Sequence, residues 1–171
     1  RGLGDVYKRQ TLPVPKAGGC APRSVSIRRR SRHRRGSAAA NANDMERTIV
    51  LVDDHSLFRN GLRGLLEHCA GCRVVGEAAS GEEFLAMLPE LEADIVFMDF
   101  AMPGIDGAQT TERALARCPE LRIITLSMFG EESYYTRMVQ AGARGFLLKD
   151  SDIGDVVEAI DTVMALSLIH I

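Results

Sequence analysis

From residue 47 onward, short apolar runs alternate with stretches whose apolar residues recur every three or four positions. Thr48-Ile-Val-Leu-Val52 is a run rich in β-branched residues that stops at Asp53-Asp54. Leu57, Phe58, Gly61, Leu62, Leu65 and Leu66 then recur at helical spacing, with Ser56 as the candidate N-cap. Arg73–Glu77 reads as a second strand. Ser80 and Glu83 form a capping-box pair ahead of Phe84, Leu85 and Leu88, with Pro89 near the end of that helix. Asp94–Asp99 is a third strand, and Ala108, Thr111, Ala114 and Leu115 mark a helix that closes near Cys118-Pro119. Arg122–Ser127 is a fourth strand. Tyr134, Tyr135, Met138 and Val139 give a fourth helix ended by Gly142, and Arg144–Lys149 a fifth strand. Asp152 can cap a last helix with Ile153, Val156, Val157, Ile160 and Val163 inward.

Alternating strands and helices predict a parallel sheet with helices on both faces, an α/β doubly wound fold. Strands buried on both faces read as continuous apolar runs, as these do. Open sheets of this kind bind ligands at the carboxyl ends of their strands. That makes the polar residues ending these runs the place to look: Asp53-Asp54, Asp99, Ser127 and Lys149.

Charge divides the chain. Residues 1–44 hold 11 of the 21 Lys and Arg and only Asp5 and Asp44 among the acids, a charge of +9; the remainder carries −11. The acidic remainder is a poor DNA binder by itself, since affinity depends on neutralising phosphates. The basic run SIRRRSRHRR, residues 26–35, has no apolar periodicity around it. Residues 1–44 are therefore expected to be disordered or non-native upstream sequence, with Met45 as the start. RGLGDVYKRQ and the final LSLIHI resemble translated sequencing-adapter sequence. The folded domain is expected over 45–165, with 166–171 a non-native tail. No apolar run approaches the ~18 residues of a membrane helix, so no membrane partner is expected. Of Cys20, Cys69, Cys72 and Cys118, only Cys69-Ala-Gly-Cys72 forms a motif. It lacks a second pair for zinc, and the cysteines are expected to be reduced residues of a cytosolic protein.

Asp53, Asp54 and Asp99 come from neighbouring strand ends in such a sheet. Carboxylates ~4–5 Å apart repel by roughly 4 kcal/mol per pair at an effective dielectric of 20. A hard divalent cation offsets that cost, and an all-oxygen set with room for water suits Mg²⁺. Phosphoryl transfer to a carboxylate fits these residues, with Asp99 as nucleophile. Lys149 would supply positive charge and Ser127 a hydrogen bond to the phosphoryl group. The loop Phe100–Gly104 would offer backbone groups, the Ala101 carbonyl among them.

The segments VDDH, VFMDFAMPGIDG, ITLS and AGARGFLLKD resemble the receiver domain of bacterial two-component response regulators, of the NarL/FixJ type that precedes a LuxR-type output. The resemblance covers about residues 47–165. It implies a flavodoxin-like (βα)5 fold with strand order 2-1-3-4-5. It also implies phosphotransfer from a sensor histidine kinase to Asp99, with Mg²⁺ held by Asp54, Asp99 and the Ala101 carbonyl and Asp53 acting partly through water. Ser127 and Phe146 stand where the family has its switch pair. Homodimerisation on phosphorylation, through the fourth helix, fifth strand and last helix or through the first and last helices, would follow. DNA would be reached only through a helix-turn-helix output domain absent from this chain. Two residues depart from the common pattern: Asp150 stands where many receivers have Pro, and Met128 where many have Ala or Gly.

Two other readings compete. A Mg²⁺-dependent phosphatase with an aspartate nucleophile would want a second Asp two residues on, where Ala101 stands. An FMN module would want a Ser/Thr/Gly-rich loop after the first strand, where Asp53-Asp54-His55 stands. A non-enzymatic switch is the expectation. His55 reads as a helix-start residue, and Tyr134, Tyr135 and Met138 as packing residues.

Overall fold

Alternation along the central strand divides the interior in two. In a computed structural model that describes residues 46–168, Ile95 and Phe97 face one side of the sheet while Val96 and Met98 face the other, all fully buried. The strands are β1 (Arg47–Val52), β2 (Cys72–Ala78), β3 (Ile95–Asp99), β4 (Arg122–Ser127) and β5 (Gly145–Leu148). The helices are α1 (Ser56–Glu67), α2 (Gly81–Met87), α3 (Gly107–Arg117), α4 (Glu132–Ala141) and α5 (Ile153–Leu168), with a 3₁₀ turn at Leu88–Glu90. All strand pairs are parallel, in the order β2-β1-β3-β4-β5. This is the flavodoxin-like arrangement that the sequence predicts. Leu62 and Leu66 of α1 and Val156, Ile160 and Val163 of α5 fill one core. Phe84 and Leu85 of α2, Ala108 and Ala114 of α3, and Met138 and Ala141 of α4 fill the other.

Local chemistry sets the helix ends. Ser80 caps α2, its hydroxyl accepting from the Glu83 amide at 3.1 Å, while Glu83 reaches back to the Ala79 amide. Asp106 caps α3 through the Gln109 amide at 2.9 Å, and Asp152 Oδ1 accepts from the Asp155 amide at 3.0 Å. Gly142 ends α4 at φ 98°, a left-handed conformation that glycine adopts without a side-chain clash. Ser56 is not the cap of α1: His55 holds that place without a side-chain bond, and Ser56 is the first helical residue. Its amide support comes from Asp53 Oδ1, which accepts from the His55 amide at 2.8 Å. Of the α1 residues at helical spacing, Leu57 is 86% and Leu65 53% exposed. They lie off the narrow stripe that touches the sheet. β5 stops at Leu148, so Lys149 is the first residue beyond the strand. The expectations for residues 1–45 and 169–171, including Cys20, the arginine run and Met45, lie outside the described residues.

Candidate functional site at the carboxyl edge of the sheet

Strand ends β1, β3 and β5 converge on one amine. Lys149 Nζ lies 2.7 Å from Asp53 Oδ2 and 2.9 Å from Asp99 Oδ2, with all three side chains at 4% exposure or less. The Lys149 amine also lies 4.9 Å from the centre of the Phe58 ring. Burial by itself would lower the Lys149 pKa, but the bonds to Asp53 and Asp99 outweigh it and raise it. Asp99 is raised: burial is the largest cause, the Lys149 bond opposes it, and the Asp53 charge adds to the rise. The nucleophile candidate is thus a desolvated carboxylate whose rise is opposed mainly by one ammonium.

Asp54 stands at the mouth of the cluster, with His55 Nδ1 3.0 Å from its Oδ1 and 3.5 Å from Asp53 Oδ1. His55 stands at the start of α1, as the sequence predicts, and the structure also puts it against both acids. Asp53, Asp54, His55 and Asp99 can each offer one ligand atom within 4.8 Å of the others. Asp53 Oδ2 and Asp99 Oδ2 are buried and share the Lys149 amine, and the buried Asp54 Oδ1 meets the His55 ring. One ammonium against three carboxylates leaves an excess of negative charge that a divalent cation would match. The acidic pocket therefore has the donors and the charge to hold a metal.

Ser127, 3% exposed, ends β4 beside the cluster. Its hydroxyl donates to the Phe129 carbonyl at 2.8 Å and accepts from the Phe129 amide at 3.2 Å. Phe146 is buried at 4% and meets Tyr135 edge-on, ring centres 5.8 Å apart. Ala101 is exposed, and its amide donates to Asp99 Oδ1 at 3.3 Å. Met128, at 64%, stands exposed next to Ser127.

The loop that carries Asp99 is clamped from two sides. Glu82 of α2 accepts from the Ile105 amide at 3.1 Å. The Gly107 amide donates to the Phe100 carbonyl at 2.9 Å, an approach only glycine permits, because a Cβ there would meet the Asp99 carbonyl oxygen. From α4, the Tyr134 ring lies 4.5 Å from the Phe100 ring, and the Arg137 guanidinium lies 5.3 Å from the Phe100 ring centre. Arg137 also pairs with Asp106 at 2.7 Å. Burial would raise the Asp106 carboxyl, yet the Gln109 amide and Arg137 together hold it low. Sequence reasoning took Tyr134 as packing and missed this cluster; its signal was the i, i+3 spacing of Tyr134 and Arg137, with no hint of the partner.

The model of the response regulator receiver domain matches residues 49–161. The chain belongs to that family. It is 39% identical over 117 residues to the response regulator GacA of Pseudomonas viridiflava, covering 68% of this chain and 55% of that protein. It is 33% identical over 121 residues to the transcriptional regulatory protein DegU of Brevibacillus brevis, covering 71% and 51%. Among solved structures it is similar to the signal receiver domain of the response regulator NarL from Mycobacterium tuberculosis. The TM-score is 0.65 with 34% identity, over 70% of this chain and 98% of that one. The chain thus spans about half the length of the curated relatives it matches. Receiver domains of this family accept a phosphoryl group and control an output, and nothing in the comparisons favours a phosphatase. Among the described residues, no helix is long and apolar enough to cross a membrane.

Proposed function

We propose that Asp99 accepts a phosphoryl group from the phosphohistidine of a sensor histidine kinase. Asp99 Oδ attacks phosphorus, the N–P bond breaks as the O–P bond forms, and the histidine leaves to be reprotonated. The observation that carries this reading is the buried Lys149 amine shared by Asp53 and Asp99. It opposes the rise of the Asp99 carboxyl and stands ready to move to a phosphoryl oxygen. Mg²⁺, held by Asp54, Asp99 and the Ala101 carbonyl with Asp53 beside them, would neutralise the charge of the incoming phosphoryl group. Ser127 would exchange its Phe129 carbonyl bond for a phosphoryl oxygen, and Phe146, with Ser127, would complete the switch. The protein itself is a switch and not an enzyme.

The output is a helix-turn-helix domain elsewhere in the full protein, and its place is the cytoplasm. The share of the relatives' length left unmatched supports that reading. Phosphorylation would favour a homodimer. The exposed Leu57 and Leu65 support the face of α1 and α5, beside a groove of about 200 Å³ lined by Phe58, Leu62, Leu65, Leu148 and Val156.

Incubation with Mg²⁺ and acetyl phosphate tests the site. Intact mass should rise by one phosphoryl group, and Asp99→Asn should abolish the gain. Equal labelling of Asp99→Asn and wild type would overturn the assignment. Sedimentation with and without the phosphoryl mimic beryllofluoride tests the dimer.

A further inference from the structure

At the sheet end opposite Asp99, the chain leaves α1 and enters β2 at Cys72. The Cys72 amide donates to the Cys69 carbonyl at 3.3 Å, and Gly71 between them stands at φ 79°. A bond from residue i+3 back to i, with glycine left-handed at i+2, is the signature of a type II turn, whose ends lie within about 7 Å between Cα atoms. A disulfide spans about 4.4–6.8 Å between Cα atoms. The turn therefore holds Cys69 and Cys72 within bridging reach. Both are free thiols and only half-buried. Their proximity also shows in the Cys72 ionisation: burial pushes that thiol up, Arg47 opposes, and Cys69 adds to the rise. Arg47 in turn pairs with Asp161 of α5 at 2.7 Å.

We propose that Cys69 and Cys72 form a reversible dithiol–disulfide site, oxidised by a small-molecule disulfide such as oxidised glutathione. Burial pushes the Cys72 thiol up, and in the proposed sequence Cys69 makes the first attack. Its thiolate displaces one glutathione thiolate and forms a mixed disulfide. The Cys72 thiolate then attacks the Cys69 sulfur and displaces the second. Two protein thiols are oxidised, one disulfide is reduced, and the two protons end on the two released glutathiones.

The placement differs from that of a redox enzyme, whose reactive cysteine sits at a helix N-terminus after a strand; here the pair follows a helix and precedes a strand. A structural staple is excluded by ring size. A loop of only four residues removes little entropy from the unfolded chain, because that gain grows with loop length. What remains is a short, accessible bridge of the kind that reductants reach. Closing it withdraws the Cys72 thiol from Arg47, which stays with Asp161. Six residues of β1, at ~3.3 Å each, separate this turn from the acidic cluster by roughly 20 Å, so oxidation leaves the phosphoryl site free.

The test uses the full chain, reduced and then equilibrated in glutathione buffers of rising oxidised fraction, blocked with N-ethylmaleimide and digested with trypsin. Cleavage after Arg63 and Arg73 puts both cysteines in one peptide, residues 64–73. That peptide should lose two hydrogens, resist alkylation, and regain both thiols with dithiothreitol. The closed ring should exceed the mixed disulfide by about tenfold or more, because the second thiol is tethered. Cys69→Ser and Cys72→Ser should each abolish the two-hydrogen loss, while Cys20→Ser and Cys118→Ser should leave it intact. Separate glutathionylation of the two cysteines, full alkylation across the series, or a bridge to Cys20 or Cys118 would overturn the proposal.

Discussion

Replacing Lys149 by Met keeps the length of the side chain and deletes the one amine that touches both Asp53 and Asp99. With contacts of 2.7 and 2.9 Å to the shared Nζ, the two carboxylate oxygens lie no more than about 5.6 Å apart. At an effective dielectric of 20 their repulsion is roughly 3 kcal/mol. Removing one partner of a buried charge cluster costs about 3–5 kcal/mol, most of it the penalty of the charge left behind. A proton offers partial relief. Asp99 is already raised, by burial first and by the Asp53 charge as well, with Lys149 the main opposing influence. Without Lys149 it rises further and takes up a proton more readily. The expected net loss near neutral pH, with Mg²⁺ removed, is therefore about 2–4 kcal/mol. Its pH dependence has a definite sign. A carboxyl whose folded pKa lies above its unfolded one costs nothing below the unfolded value, where both states hold the proton. The cost appears as pH climbs through the folded pKa. The deficit of Lys149→Met should thus shrink as pH falls from neutral toward the unfolded carboxylate value of about 4. Urea unfolding of both proteins at the two pH values measures it, provided the slope with denaturant is unchanged. A neutral-pH deficit below about 0.5 kcal/mol, or one that grows on acidification, would refute the reasoning.

Gly107→Ala should destabilise the fold by about 1–3 kcal/mol, because the new Cβ meets the Asp99 carbonyl and the Phe100 Cα, both backbone and unable to yield cheaply; calorimetry checks it. Mg²⁺ should raise the melting temperature of the wild type in proportion to the logarithm of its concentration, and Asp54→Ala should flatten that rise without abolishing folding. Arg137→Ala should cost no more than about 1.5 kcal/mol, since its ion pair and ring contact are half-exposed. On adding beryllofluoride with Mg²⁺, amide shifts should spread from Asp99 through residues 128–149; Ser127→Ala should confine them to the strand ends.

The central strands were legible because their buried runs are continuous, and their ends were legible because a charge or hydroxyl stops the run. Thr48–Val52 and Ile95–Asp99 show this directly. Burial on α1 was less legible. Leu57 and Leu65 satisfy helical spacing, yet periodicity cannot say how wide a stripe the sheet will cover. The N-cap of α1 was misread because Ser56 has the usual capping chemistry, while the backbone turn made by Asp53 and His55 puts it one residue inside the helix. At the site, residue types were readable but partners were not. Nothing in the order of residues shows that Ser127 spends its hydroxyl on Phe129, or that His55 turns toward Asp54. Those bonds depend on side-chain rotation, which leaves no periodic trace.

The sheet divides the interior into two compartments that share almost no side chains. One belongs to α1 and α5, the other to α2, α3 and α4. Mutational effects on opposite faces should accordingly add, because sites without shared partners rarely couple. Such a layout makes this one domain modular without dividing it. The surface of α1 and α5 can drift toward a new partner while the packing that governs α4 stays as it is. Traffic between the two compartments is left to the strands themselves. Neighbouring residues of β5 point opposite ways, with Phe146 toward Tyr135 and Leu147 into the α1–α5 core. A shift in that one short strand would be felt on both faces at once.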